Sequence, residues 1–330
     1  MQFNVLTRLA TVMLRRLLHA AIILLGVLIL DFLLLHLAPG DIAQVLAGEN
    51  GSADPAYMQG LRARFGLDQP LLAQLLSYAW RVLNLDLGYS FRNNLPVTTL
   101  ILQRLPATML LMGSSLVIAV GGGIALGAIA ARKLNSWLDD LISIVALLAY
   151  ATPLFWIGLM FIVLFAVHLG WLPTGGFRTE GADLSGIAAI VDVLKHLVLP
   201  TITLALFYTA VYARLTRAAM ADVLGLDFIR SARAAGLSER RIAWRGALPN
   251  AVLPVVTVIG MQVASLLGGA VLVETVFAWP GLGRLAFEAV TARDLNLLLG
   301  LLLFSALLVV GTNLIVDTIH AALDPRLRAE

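Results

Sequence analysis

Residues 214–249 read RLTRAAMADVLGLDFIRSARAAGLSERRIAWRGALP, a 36-residue polar segment with seven arginines set inside an otherwise very apolar chain. Its inner part runs Ile229-Arg230-Ser231-Ala232-Arg233-Ala234-Ala235-Gly236, then nine residues, then Gly246-Ala247-Leu248-Pro249, which opens onto an apolar stretch. Asp227 offers an N-cap for a short helix from Phe228, and Gly236 closes that helix in a left-handed conformation that a side chain resists. Ser238 offers a second cap for a helix through Arg245, giving a tight helix-turn-helix. Phe228, Ile229 and Ala232 share one apolar face of the first helix. So short a helix is unstable alone and needs a partner groove or the bilayer surface. On composition alone, a basic loop touching anionic lipid competes with this reading.

Outward from this segment the chain is 60% hydrophobic and 13% charged over 330 residues, against roughly 25% charged in soluble domains. It reads as an integral membrane protein. The net charge of +3 sits at membrane edges rather than on an aromatic-studded soluble face, which excludes nucleic acid as a partner. Without cysteine there is no disulfide, iron-sulfur cluster or thiolate zinc site. Arg15-Arg16 precede an apolar run over 17–38, whose 22 residues cover the hydrocarbon layer and lack a small-residue cleavage site. The run reads as a retained first span.

Further apolar stretches at about 107–131, 137–169, 197–213, 250–275 and 297–319 bring the count to six spans. Pro153 lies in the long third stretch, which we read as one kinked or tilted helix. If 1–16, 132–136, 214–249 and 320–330 are cytoplasmic, they hold 14 of the 23 Lys and Arg, whereas 170–196 and 276–296 hold four. That asymmetry places both termini inside. Segment 39–105 then lies outside, since loops longer than about 60 residues translocate largely regardless of charge. Its turn formers and the amphipathic stretch over 71–83 predict a small ordered cap.

Ala232, Gly236, Leu248 and Pro249 keep the spacing of the cytoplasmic EAA loop, which resembles that of ABC importer permeases. Arg230 stands where that family generally has Glu, Ser231 replaces the first Ala and Gly246 replaces Ile; an Arg-Ser/Thr-Ala variant is carried by the peptide and nickel importers. The resemblance extends along His36-Leu37-Ala38-Pro39-Gly40-Asp41, Gly66-Leu67-Asp68-Gln69-Pro70, Gly88-Tyr89-Ser90 and Arg104-Leu105-Pro106-Ala107-Thr108. It continues through Val273-Glu274-Thr275-Val276-Phe277-Ala278-Trp279-Pro280-Gly281-Leu282-Gly283 and Asp324-Pro325-Arg326. These stretches are similar to the dipeptide/oligopeptide/nickel permease subfamily. Asn296, in Arg293-Asp294-Leu295-Asn296, departs from the family's usual Pro and puts the local loop shape in doubt.

The resemblance implies an all-α membrane protein with six transmembrane helices, a large extracytoplasmic loop after the first span and a cytoplasmic coupling-helix loop between spans four and five. The expected divisions are 1–38 (N-terminus and first span), 39–105 (cap), 106–319 (permease core, including the 214–249 loop) and 320–330 (cytoplasmic tail). It also implies a bacterial-type inner membrane, a related second permease subunit, two ABC ATPases and an extracytoplasmic solute-binding protein. Coupling to the ATPases would rest on Asp227, Phe228, Ile229, Arg230, Ala232, Arg233, Gly236, Leu237, Ser238, Arg240 and Arg241. ATP and Mg2+ would sit on the partner ATPases, with no cofactor on this chain, which lacks the Gly-x-x-x-x-Gly-Lys-Ser/Thr phosphate cradle.

No catalytic geometry is legible, and histidines 19, 36, 168, 196 and 320 lack ligand spacing. Thr201, Tyr208 and Tyr212 lie on one face of the fourth span and could line a path for a peptide-like substrate. Bonding to neighbouring helices is the alternative. Gln262 and Ser265 on the fifth span could face the same passage, beside a Gly260, Ala264 and Gly268 packing stripe. Gly123 and Gly127 predict close helix contact. Asp31, well inside the first span, is expected to face protein or water and to be satisfied there. Glu274 fits either a gate or a structural anchor. Di- or oligopeptides lead as substrates, with nickel chelates or glutathione as alternatives; an ion-coupled secondary transporter is the rival class.

Overall fold

A computed structural model describes residues 2–37, 68–90 and 92–323, excepting the side chains of 2–14, 261, 263–267, 269, 317 and 319–323. The helices are α1 (Gln2–Leu37), α2 (Leu71–Leu83), α3 (Val97–Arg132), α4 (Trp137–Ala151) and α5 (Leu154–Phe161), the last running on as a π-helical segment, Ile162–His168. Then come α6 (Gly186–Leu224), α7 (Asp227–Ala234), α8 (Leu248–Val276), α9 (Leu282–Thr291) and α10 (Leu295–Leu323). A two-residue ladder pairs β1 (Tyr89–Ser90) with β2 (Leu95–Pro96) in antiparallel fashion, a small departure from an all-α chain. The expected stretch 38–67, the tail from 324 and the side chains of Ala264 and Ser265 lie outside the described residues.

Among the described residues, five helical stretches are long and apolar enough to cross a membrane: Arg15–Leu37, Val97–Arg132, Gly186–Leu224, Glu239–Gly260 and Leu295–Val316. The expected third span is not one kinked helix. Trp137–Ala151 and Leu154–His168 meet at 104°, and the count is six only if this broken pair makes one span. Pro153 explains the sharpness of the break. It lacks an N–H and crowds Thr152 into an extended conformation (φ −83, ψ 133). The Thr152 hydroxyl turns back to donate to Leu148 O at 2.7 Å, ending α4. The other helices outrun their apolar cores: the fourth stretch, expected at 197–213, sits inside the 39-residue α6. Hydropathy registers the buried middle of such a helix and misses its polar ends.

The chain divides into two compact units, Met1–Gln103 with Ala286–Leu314 and Arg104–Leu285 with Ile315–Glu330. In the first, α2 lies on α1. The Ser90 hydroxyl donates to Asp294 Oδ2, while Asp294 Oδ1 accepts from the Leu297 N–H at 3.1 Å and caps α10. Asn296, the position that departs from the family's Pro, donates its amide to Tyr89 O at 3.2 Å. Asp31 is 1% exposed, and neither carboxylate oxygen has a hydrogen-bond partner. It faces protein as expected, but the expected hydrogen-bonding satisfaction is missing.

In the second unit, α3, α6 and α8 enclose a core that includes Leu111, Ala119, Leu204, Tyr212, Val255 and Val273. Gly123 and Gly127 let α3 approach α6 closely. A Cβ at Gly123 would fall 2.5 Å from Tyr212 Cβ, and one at Gly127 2.5 Å from Ala213 O. Buried Asp139 on α4 receives both Arg217 Nε and Arg217 Nη2 (2.7 Å for the latter), a bidentate pair that fixes α4 to α6. Glu274 is held in a network that suits an anchor. Its carboxylate accepts from the Thr108 hydroxyl (2.7 Å) and from the N–H groups of Gly283 (2.7 Å) and Arg284 (3.0 Å), the otherwise unpaired donors of the first turn of α9. A Cβ at Gly281 would collide with that carboxylate, and one at Gly283 would fall 2.5 Å from Val271 Cα.

Candidate functional site

The polar segment between α6 and α8 folds around one buried side chain, Ile229. Fully covered, it sits among Ala128 and Ala131 of α3, Met220 of α6, and Ile242, Ala243, Ala247 and Ala251 around the start of α8. Ala232, one turn on, packs against the edge of the same cluster. Phe228 does not share this face: it is 46% exposed and is not part of the cluster. The three residues span too wide an arc for one narrow pocket of small side chains to receive them all. The short helix is thus held to its own chain by Ile229 and leaves its largest apolar side chain bare.

Both ends of α7 differ in part from the expected caps. Leu226, extended at φ −74 and ψ 155, occupies the N-cap, and Asp227 is already helical. The Asp227 carboxylate bonds no backbone amide. It accepts instead from Arg230 Nη1 at 3.2 Å, while its charge still favours the helix N-terminus. At the other end Gly236 has φ +76, and a Cβ there would meet nothing within 4 Å, so the need for glycine is purely conformational. Leu237 N donates to Ala232 O (3.2 Å) and Gly236 N to Arg233 O (2.9 Å), the paired bonds of a Schellman turn. Arg233 spans the turn, its Nε 2.7 Å from Glu239 Oε1 and its Nη2 3.2 Å from Oε2. Exposed on both sides, this pair adds little stability but fixes the angle between α7 and the next turn.

Ser238 holds the expected N-cap position without a side-chain bond; its carbonyl accepts from Arg241 (2.9 Å) and Ile242 (3.0 Å). The helix it opens does not stop at Arg245. It continues through a π-helical segment, Ile242–Ala247, into α8, where Pro249 is the second residue. The segment therefore presents a bare surface of Leu226, Phe228, Leu237 and Trp244, bordered by the exposed Arg230, Arg240 and Arg241.

Thr201, Tyr208 and Tyr212 do share one face of α6, and that face is buried inside the second unit. Thr201 Oγ1 lies 2.8 Å from Ser114 Oγ on α3, and the rings of Tyr208 and Tyr212 are 6.4 Å apart. Tyr212 Oη and Gln262 Oε1 are buried without hydrogen-bond partners, as is Oγ1 of Thr216, one turn beyond Tyr212. Sequence reading missed Thr216, although its i+4 spacing from Tyr212 places it on the same stripe.

The description "Binding-protein-dependent transport system inner membrane component" fits residues 123–329, and the N-terminal model of the same component fits residues 9–112. The chain belongs to this permease family. It is 39% identical over 320 residues to the dipeptide transport system permease protein DppB of Escherichia coli, covering 92% of this chain and 94% of that one. Identity is also 39%, over 323 residues, with the oligopeptide transport system permease protein AppB of Bacillus subtilis (96% and 99% covered). A putative peptide transport system permease protein of Brucella abortus gives 39% over 315 residues (96% and 98%). In fold, a chain from inward-facing conformations of the MetNI methionine ABC transporter matches with a TM-score of 0.53 at 19% identity, covering 68% of this permease and 96% of that chain.

Proposed function

We propose that this permease carries di- or oligopeptides through the inner membrane as part of an ABC importer, and that α7 is the lever on which two separate ATPase subunits act. The observation that carries the reading is the division of labour in and beside α7: Ile229 is locked into the permease while Phe228 and the flanking Leu226 and Leu237 stand exposed beside arginines. A motion imposed on that surface passes through Ile229 to α3, α6 and α8 together, because all three contribute to its pocket. Three relatives of 39% identity named for dipeptide, peptide or oligopeptide transport support the substrate class.

The remaining assignments follow from charge and packing. The arginine distribution supports cytoplasmic termini and a cytoplasmic 214–249 loop, leaving 39–105 as an extracytoplasmic cap near which a solute-binding protein delivers its ligand. A related second permease completes the passage. Thr201, Tyr208 and Tyr212, with Gln262 and Ser265, line it when the helices part. Support comes from the orphaned Tyr212 and Gln262 oxygens, since each buried unpaired group costs about 1–3 kcal/mol that hydration on opening relieves. Reconstituted with its ATPases, second permease and binding protein, the chain should accumulate labelled peptide with ATP. Peptide uptake driven by a proton gradient without ATP would overturn the reading.

A further inference from the structure

α2 reads LLAQLLSYAWRVL, and Leu72, Leu76, Trp80 and Leu83 fall at i, i+4, i+8 and i+11, a single stripe. These side chains are between 63 and 76% exposed, so the largest apolar groups of the helix point away from the unit that carries it. The other side lies on α1, where Gln74 Oε1 is 3.0 Å from His36 Nε2 and the Tyr78 ring is 6.3 Å from Phe32. Four residues forward on α2 match four back on α1, so α2 runs antiparallel beside the end of the first span. Phe32 is five residues before Leu37, which places it about 7 Å short of the helix end at 1.5 Å per residue. A helix held at that depth by a span turns its free face toward the hydrocarbon boundary rather than bulk water.

The surroundings agree in chemistry. Leu30, Leu33, Leu34 and Leu37 on α1 are exposed at the same level, so the bare stripe of α2 continues the apolar surface of the span itself. Gln74, Ser77 and Arg81 are confined to one narrow flank. From there the Arg81 stem can carry its charge to the headgroups, and the indole of Trp80 suits the same boundary.

We propose that α2 is an interfacial helix, its Leu72, Leu76, Trp80 and Leu83 stripe sunk into the leaflet at the Leu37 end of α1, with phospholipid as the occupant of that face. The proposal rests on α1 being a span, and on neither the sidedness of the chain nor its substrate. It also moves binding-protein docking off this stripe and onto other parts of the cap.

The chain has no native cysteine, so single cysteines at 72, 76, 77 and 80 can be spin-labelled in the assembled transporter. Nanodiscs of phosphatidylethanolamine and phosphatidylglycerol supply the lipid. The ratio of oxygen to nickel-chelate accessibility should be several-fold higher at 72, 76 and 80 than at 77, and adding binding protein should leave it unchanged. Nickel access at the stripe equal to that at 77 would place the face in water and overturn the proposal. Low access to both reagents would mean a protein subunit covers it, and a change on adding binding protein would make it a docking surface; either overturns the proposal. A label at Leu33 separates the failures, since aqueous access there would refute the span instead. Uptake by each labelled variant checks folding, and if the Trp80 variant fails to assemble, positions 72 and 76 carry the test.

Discussion

Gly236 is required for its backbone alone, since its Cβ position is empty while its φ is +76. Gly236→Val should therefore strain the turn by about 1–2 kcal/mol without touching any span. Membrane abundance should stay normal while uptake and ATPase association fall several-fold. Gly236→Asn, which tolerates the left-handed region, should recover most of both, and normal uptake by the Val variant would refute the lever. Glu274 is the opposite case, held by contacts. Glu274→Ala leaves two first-turn amides of α9 unpaired and the Thr108 hydroxyl proton without its acceptor, although Thr108 Oγ1 still accepts from the Leu282 N–H; a loss of about 1–3 kcal/mol for each orphaned group should be read as a lower melting temperature of the purified complex. Unchanged melting with lost uptake would restore the gate. The glycine was legible in sequence because a local turn dictates it. The anchor was not, because Thr108 lies 166 residues away and the other partners are backbone amides.

At the scale of elements, α7 has two faces with different duties. Ile229→Ala truncates the buried side chain of α7 and should cost about 2–5 kcal/mol locally, loosening the segment to proteolysis and abolishing transport. Phe228→Ala removes a side chain outside that pocket and about half exposed, so stability should fall less than in Ile229→Ala while ATPase association falls; equal protease sensitivity of the two variants would contradict this division. Sequence periodicity placed both residues on an apolar face, but it could not tell which of them the small-residue pocket of Ala128, Ala131 and Ala243 would accept. Likewise Pro153 predicted a kink within one helix, while the 104° break between two helices depends on how α4 and α5 pack on α6 and α8.

Across the whole molecule, transport requires that motion at α7 open a path along α6. Thiol reagents should reach cysteines at 201, 208 and 212 little in the resting state, given their burial, and faster once ATP is bound. Uniform protection in both states would leave these residues as packing. The most direct measurement places a photo-crosslinking amino acid at position 228 in a transport-competent complex. Crosslinks to the ATPase subunits, with a yield that changes on ATP binding, are expected; crosslinks confined to lipid or to the permease itself would contradict a motor-driven lever.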